Sequence, residues 1–121
     1  MIPLILLTLL LGPQPTRTVT MDVSAYCVCS KCCGKHADGI TASGRKAVGK
    51  IIAAPRSYKY GTVMHIPGYG VARVWDRGGA IKTAGNVVSG KRLRHDRIDL
   101  LFPTHRAALQ WGRRTLKVGI R

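Results

Sequence analysis

Glutamate is absent from this sequence, and the only acidic residues are five aspartates set against 20 Lys plus Arg, a net charge of +15. So one-sided a balance points to a polyanionic partner, and nucleic acid, an anionic membrane surface and anionic cell-wall polymers all satisfy it. Aromatic residues are also few, with one Phe, two Trp and four Tyr. That scarcity, with no recognisable nucleic-acid motif, argues against a nucleic-acid surface built on stacking. No apolar run reaches the 18 or so residues of a membrane-spanning helix. Internal repeats and low-complexity tracts are missing too, and 121 residues leave no room for a second domain.

What is present is apolar sequence in short pieces, 45% hydrophobic overall and broken by 14 glycines, a composition that favours short strands and turns over a helical bundle. The opening run MIPLILLTLLLG reads as the h-region of an export signal, so residues 1–16 are assigned as a signal peptide and 17–121 as one folded domain. The implied location is secreted, periplasmic or otherwise in the cell envelope. From Thr18 the pattern alternates, with Val19, Met21, Val23 and Ala25 on one face and Thr18, Thr20, Asp22 and Ser24 on the other, as in a half-buried strand.

Further short strands are expected at 50–54, 62–66, 71–75, 97–102 and 115–120, with Pro67 to Gly70 turning the third into the fourth as a hairpin. Thr83 to Arg94 lacks periodicity and reads as a mobile basic loop. Pro103-Thr104 starts a short helix that Gly112 stops. The sum is a mainly β chain, six short strands and one helix, closed as a barrel or packed as a sandwich.

Three of the five aspartates, Asp76, Asp96 and Asp99, fall within 76–102. Asp76 and Asp99 lie where apolar strand pattern meets loop, where a rigid scaffold can hold a reactive group at a cleft. Alternation puts Asp76 on the face of Ala72 and Val74 unless a bulge intervenes. Asp99, between Ile98 and Leu100, is a candidate for desolvation and a raised pKa, with Asp76 as a like-charged neighbour acting the same way. Asp96 reads as a solvated loop residue.

Cys27, Cys29, Cys32 and Cys33 crowd seven positions. Two local disulfides, a metal site with zinc as the one candidate cofactor, and reduced thiols all remain open, although structural zinc usually draws its ligands from two separated loops. His65 and His105 have no partners at ligand spacing.

The runs DGITASG (38–44), IIAAP (51–55), YGTVMHIPGYG (60–70), DRGGAIK (76–82), RIDLLFPTHRAALQWG (97–112) and RTLKV (114–118) resemble the three-aspartate, or 3D, domain. That domain occurs in membrane-bound lytic transglycosylase A and in small secreted wall proteins, and is related to rare-lipoprotein-A-like and expansin-like domains. The resemblance covers residues 26–120. It implies a six-stranded double-psi β-barrel, peptidoglycan glycan strands and anionic wall polymer as partners, and lytic cleavage of the MurNAc–GlcNAc bond. By position it implies Asp99 as the catalytic acid, with Asp76 as the second site aspartate.

Thr41, Ser43, Tyr69, Gly78, Gly79 and Lys82 are the candidate substrate contacts, each with a plainer structural role beside it: turn capping, packing, or one Lys among many. Two features depart from the family. The aspartate usual after the IAA strand is replaced within Ala53-Ala54-Pro55, and the step from GGAIK to RID, only a few residues in the family, is lengthened here so that Asp76 and Asp99 are 23 positions apart. A non-catalytic wall-binding barrel and a zinc-stapled nucleic-acid-binding protein are the competing readings.

Overall fold

In the computed structural model, residues 15–28 and 39–121 are described. Six strands close a barrel: β1 (Arg17–Tyr26), β2 (Ile51–Ala53), β3 (Val63–Ile66), β4 (Gly70–Asp76), β7 (Asp96–Leu101) and β8 (Arg114–Ile120), in the spatial order β1-β7-β2-β4-β3-β8. A separate two-stranded hairpin, β5 (Val87–Val88) with β6 (Lys91–Arg92), stands between β4 and β7 in sequence, and the helix α1 (His105–Trp111) precedes β8. The expected mainly β chain with one short helix is therefore present, and closure selects the barrel over the sandwich. Among the described residues no helix is long and apolar enough to cross a membrane.

The pairing has an internal symmetry. β1 runs parallel to β7 and β2 parallel to β4, while all other barrel neighbours are antiparallel. Exchanging the first three barrel strands with the last three leaves this set of pairs unchanged, so the barrel is two interlocked half-motifs that share one core. That core is built from the inward positions of each alternating strand: Met21, Val23, Ile52, Met64, Val74, Ile98, Leu100 and Val118 are fully buried. α1 lies against β1 and covers one end of the core with Trp111, whose indole N–H donates to the Val23 carbonyl at 3.2 Å. Thr104 caps the helix by accepting from the Ala107 amide, and Gly112, at φ 68°, ends it.

Two local expectations change. Residues 83–94 are not an unstructured loop. Ser89 and Gly90 both adopt positive φ (50° and 80°), the geometry of a tight two-residue hairpin turn. Buried Leu93 and its paired amide and carbonyl bonds to Asn86 and Gly85 tie the base of that hairpin down.

Nor is Asp96 a free loop residue. It opens β7, where it accepts hydrogen bonds from the Tyr58 hydroxyl and, at 2.8 Å, from the Ala84 amide, anchoring the segment that leads into the hairpin. The export-signal assignment falls on residues that are, apart from Pro15 and Thr16, outside those described, as do Asp38 and three of the four cysteines.

Candidate functional site

The barrel sheet sets Ser24 of β1 opposite Asp99 of β7, Asp99 opposite Ala53 of β2, and Ala53 opposite Asp76 of β4. Four residues from four strands thus form one row. Strict alternation would have turned Asp76 inward with Val74. Instead the register slips between Ile52, which pairs with Val74, and Ala53, which pairs with Asp76, so Trp75 is an extra residue on its strand. This bulge re-aims Asp76 to the side occupied by Asp99.

The two carboxylates have different surroundings. Asp76 is saturated: Oδ2 accepts from the Tyr26 hydroxyl at 2.7 Å, and Oδ1 accepts from the amides of Ala42 at 2.8 Å and Arg77 at 2.9 Å. It therefore ties the end of β1 and the 41–44 turn to the end of β4. Asp99 receives one hydrogen bond, from the Ser24 hydroxyl at 3.0 Å to Oδ1. Burial pushes its pKa up from 3.8 to about 6; the Ser24 hydrogen bond and the charge of Arg113 act against this, the Asp76 charge adds to it, and Arg97 opposes it. Tyr26 is the link between them, its hydroxyl held well above the usual phenol range by burial first, then by its hydrogen bond to Asp76 and the charges of both aspartates.

The other candidate contacts distribute as follows. Thr41 is buried and serves its own turn: its hydroxyl lies 2.9 Å from the Ser43 hydroxyl and accepts from the Arg45 amide at 3.3 Å. The Ser43 amide reaches the Trp75 carbonyl at 3.3 Å, so this turn is laid against the end of β4 beside Asp76. Gly78, Gly79 and Lys82 line a cavity of about 420 Å³ that also takes in Ala54 and Arg77.

Tyr69 is removed from this group. Its hydroxyl donates to the Leu101 carbonyl at 2.7 Å, its ring packs against Phe102 and Trp111, and it lines an apolar cavity of about 660 Å³. Asp99 lines none of the four described cavities, but Ser24 and Arg113, the groups that act on it, line one of about 360 Å³. In the sheet register the carboxylates lie between that cavity and the one at Gly78 to Lys82.

Ser24 and Tyr26 are the site residues that sequence reasoning passed over. Ser24 stood on the polar face of a half-buried strand, which is a signal. What it faces depends on a parallel pairing across 75 positions, which alternation does not encode.

Cys27 is buried, with Sγ 3.8 Å from His105 Nδ1. Cys29, Cys32 and Cys33 lie outside the described residues, and among the described residues no group of three or more His, Cys, Asp or Glu is placed to hold a metal ion.

No family model matches the chain. It is 32% identical over 105 residues to a Bacillus subtilis (strain 168) protein named "Putative cell wall shaping protein YabE", an alignment that takes in 86% of this chain and 23% of that protein. The chain thus spans about a quarter of the length of the relative it matches. Sequence similarity to a protein named for cell wall shaping and a closed six-stranded barrel are what the comparison and the fold establish together.

Proposed function

We propose that this chain is a 3D-domain lytic transglycosylase of the cell envelope, of the double-psi barrel kind, which cleaves the MurNAc–GlcNAc bond of peptidoglycan through Asp99. The observation that carries the reading is the carboxyl of Asp99, kept protonated up to about pH 6 by burial in a sheet that holds a second, fully hydrogen-bonded aspartate on the same row. Similarity to a protein named for cell wall shaping supports the choice of substrate. The excess of cations suits an anionic wall polymer.

Glycosidic cleavage needs a proton on the leaving oxygen as positive charge develops at C1 of the sugar. Protonated Asp99 gives its proton to the bridging oxygen, and the bond from that oxygen to C1 of MurNAc breaks, releasing GlcNAc with a free hydroxyl. The C6 oxygen of the same MurNAc then bonds to C1. The carboxylate takes up the C6 hydroxyl proton, closing the 1,6-anhydro ring and returning the acid to its starting state.

One carboxyl serves both steps, so no second carboxylate is needed to activate water. Asp76, with its three donors, acts as a positioning residue: it fixes Tyr26 and the 41–44 turn around the row.

The test is digestion of purified peptidoglycan by the wild-type chain and by Asp99→Asn, with products identified by mass. The expected result is 1,6-anhydro-muropeptides from wild type and a fall of about 10² to 10⁴-fold in Asp99→Asn, the usual contribution of a general acid. A non-catalytic wall-binding barrel is the second reading, favoured by the absence of Asp99 from the lining of any described cavity. Binding to the wall without anhydro products from the wild-type chain would establish that reading and sink the first.

A further inference from the structure

The cavity beside Asp76 has an uneven chemistry. Arg56, Arg77 and Lys82 line it, and no aspartate does. Arg77 is committed, donating to the Ala54 carbonyl at 3.1 Å with its guanidinium 4.2 Å from the Tyr60 ring centre. The heads of Arg56 and Lys82 have no hydrogen-bond partner among the described residues. Arg97 of β7 does not line the cavity but is tied to its wall at Lys82. Its amide donates to the Lys82 carbonyl at 2.9 Å, and its Nε is buried without an acceptor, a state that proteins ordinarily avoid.

Gly79 supplies an independent observation. Of the glycines in the described residues, all but three have positive φ. Two of those three are held by packing, since a Cβ on Gly78 would come within 2.9 Å of Ile81 and one on Gly119 within 2.7 Å of Pro15. Gly79 has neither reason: its φ is ordinary and a Cβ there would meet nothing within 4 Å. The protein's own interior does not require glycine at 79, and the position borders the cationic cavity. Close approach by a ligand is a reason for it.

We propose that this cavity is a carboxylate subsite, formed by Arg56 and Lys82 around the open face of Gly79, which takes an acidic group of the stem peptide carried by the glycan strand. The inference rests on the peptidoglycan reading above. The guanidinium fork matches a planar carboxylate, and the cavity is sized for a short substituent. Asp76 and Asp99 are two strands apart, about 10 Å, and a peptide on the sugar being cleaved spans that distance. Acidic groups on the peptide would thus decide which glycosidic bonds are presented to Asp99.

The experiment measures binding in an Asp99→Asn background, which removes turnover. The probes are a tetrasaccharide muropeptide, which contains one MurNAc–GlcNAc bond, with free stem-peptide carboxylates, the same compound with those carboxylates methyl-esterified, and inorganic phosphate as competitor. Esterification is expected to weaken binding about tenfold, the loss of one charge-assisted hydrogen bond. Arg56→Gln and Lys82→Met should each remove most of that difference. Gly79→Val should do the same with an unchanged thermal midpoint; if the midpoint falls, the two cation variants decide alone.

Equal affinity for acid and ester overturns the subsite, as does displacement by phosphate at concentrations matching the muropeptide, which would make it a general anion site. Anhydro products formed equally well from both probes by wild type would remove the subsite and leave the cleavage reading standing. Acid-selective binding with no anhydro product from wild type would do the reverse.

Discussion

Asp76 and Asp99 lie on one row of one sheet with a single strand between them, and the protein uses them in opposite ways. Asp76 has three donors and closes a joint between strand ends; Asp99 has one donor, a largely desolvated, half-buried carboxyl and a proton it keeps to about pH 6. The lesson is that placement on a row does not make two carboxylates an acid and base pair. The number of donors each receives separates structural from chemical use, because a carboxylate that accepts several hydrogen bonds is stabilised in its charged form.

That contrast can be broken most forcefully by truncating Asp76. Asp76→Ala strips the Tyr26 hydroxyl and two amides of their acceptor and should cost about 3 kcal/mol of stability, read by denaturant unfolding near pH 7. An effect near zero would mean that the joint is held by other contacts.

Asp99→Asn should act the other way. A carboxyl whose folded pKa is raised binds its proton more tightly in the native state, so its contribution to stability is present below about pH 4 and lost as pH rises through about 6. Above that, the wild type carries a buried charge that Asn lacks, and Asp99→Asn should be more stable by about 3 kcal/mol at pH 8. At pH 3.5 the two should unfold alike. A variant less stable than wild type at pH 8 would remove the case for a desolvated acid.

Ser24→Ala is the finest probe. The Ser24 hydrogen bond holds the Asp99 pKa down, so its loss should raise that pKa and move the alkaline limb of cleavage to higher pH. A limb that stays in place would show that another group sets it.

Much of the barrel was legible because its strands alternate cleanly. Met21 and Val23 against Thr20 and Asp22, or Val118 and Ile120 against Lys117, announce a strand with one buried face, and the Thr104 and Gly112 signals bounded the helix correctly. Asp99 was legible as a candidate for desolvation between Ile98 and Leu100, and burial does raise its pKa. The outward turn of Asp76 was not, because it depends on an extra residue at Trp75 that only the pairing of β2 with β4 reveals. The hairpin at 87–92 was missed because two-residue strands carry too few positions for a period to show. Ser24 and Tyr26 were overlooked because their partners lie 75 and 50 positions away, beyond what any local pattern reports.

The pairing of β1 also governs the order in which the molecule can assemble. Both of its neighbours come from the last third of the chain: β7 begins at Asp96 and β8 at Arg114. The first strand therefore finds no partner until β7 is available, and every pairing it makes spans 75 residues or more. Loop entropy must be overcome before any such contact forms, which places this chain among slow, high-contact-order folders despite its small size.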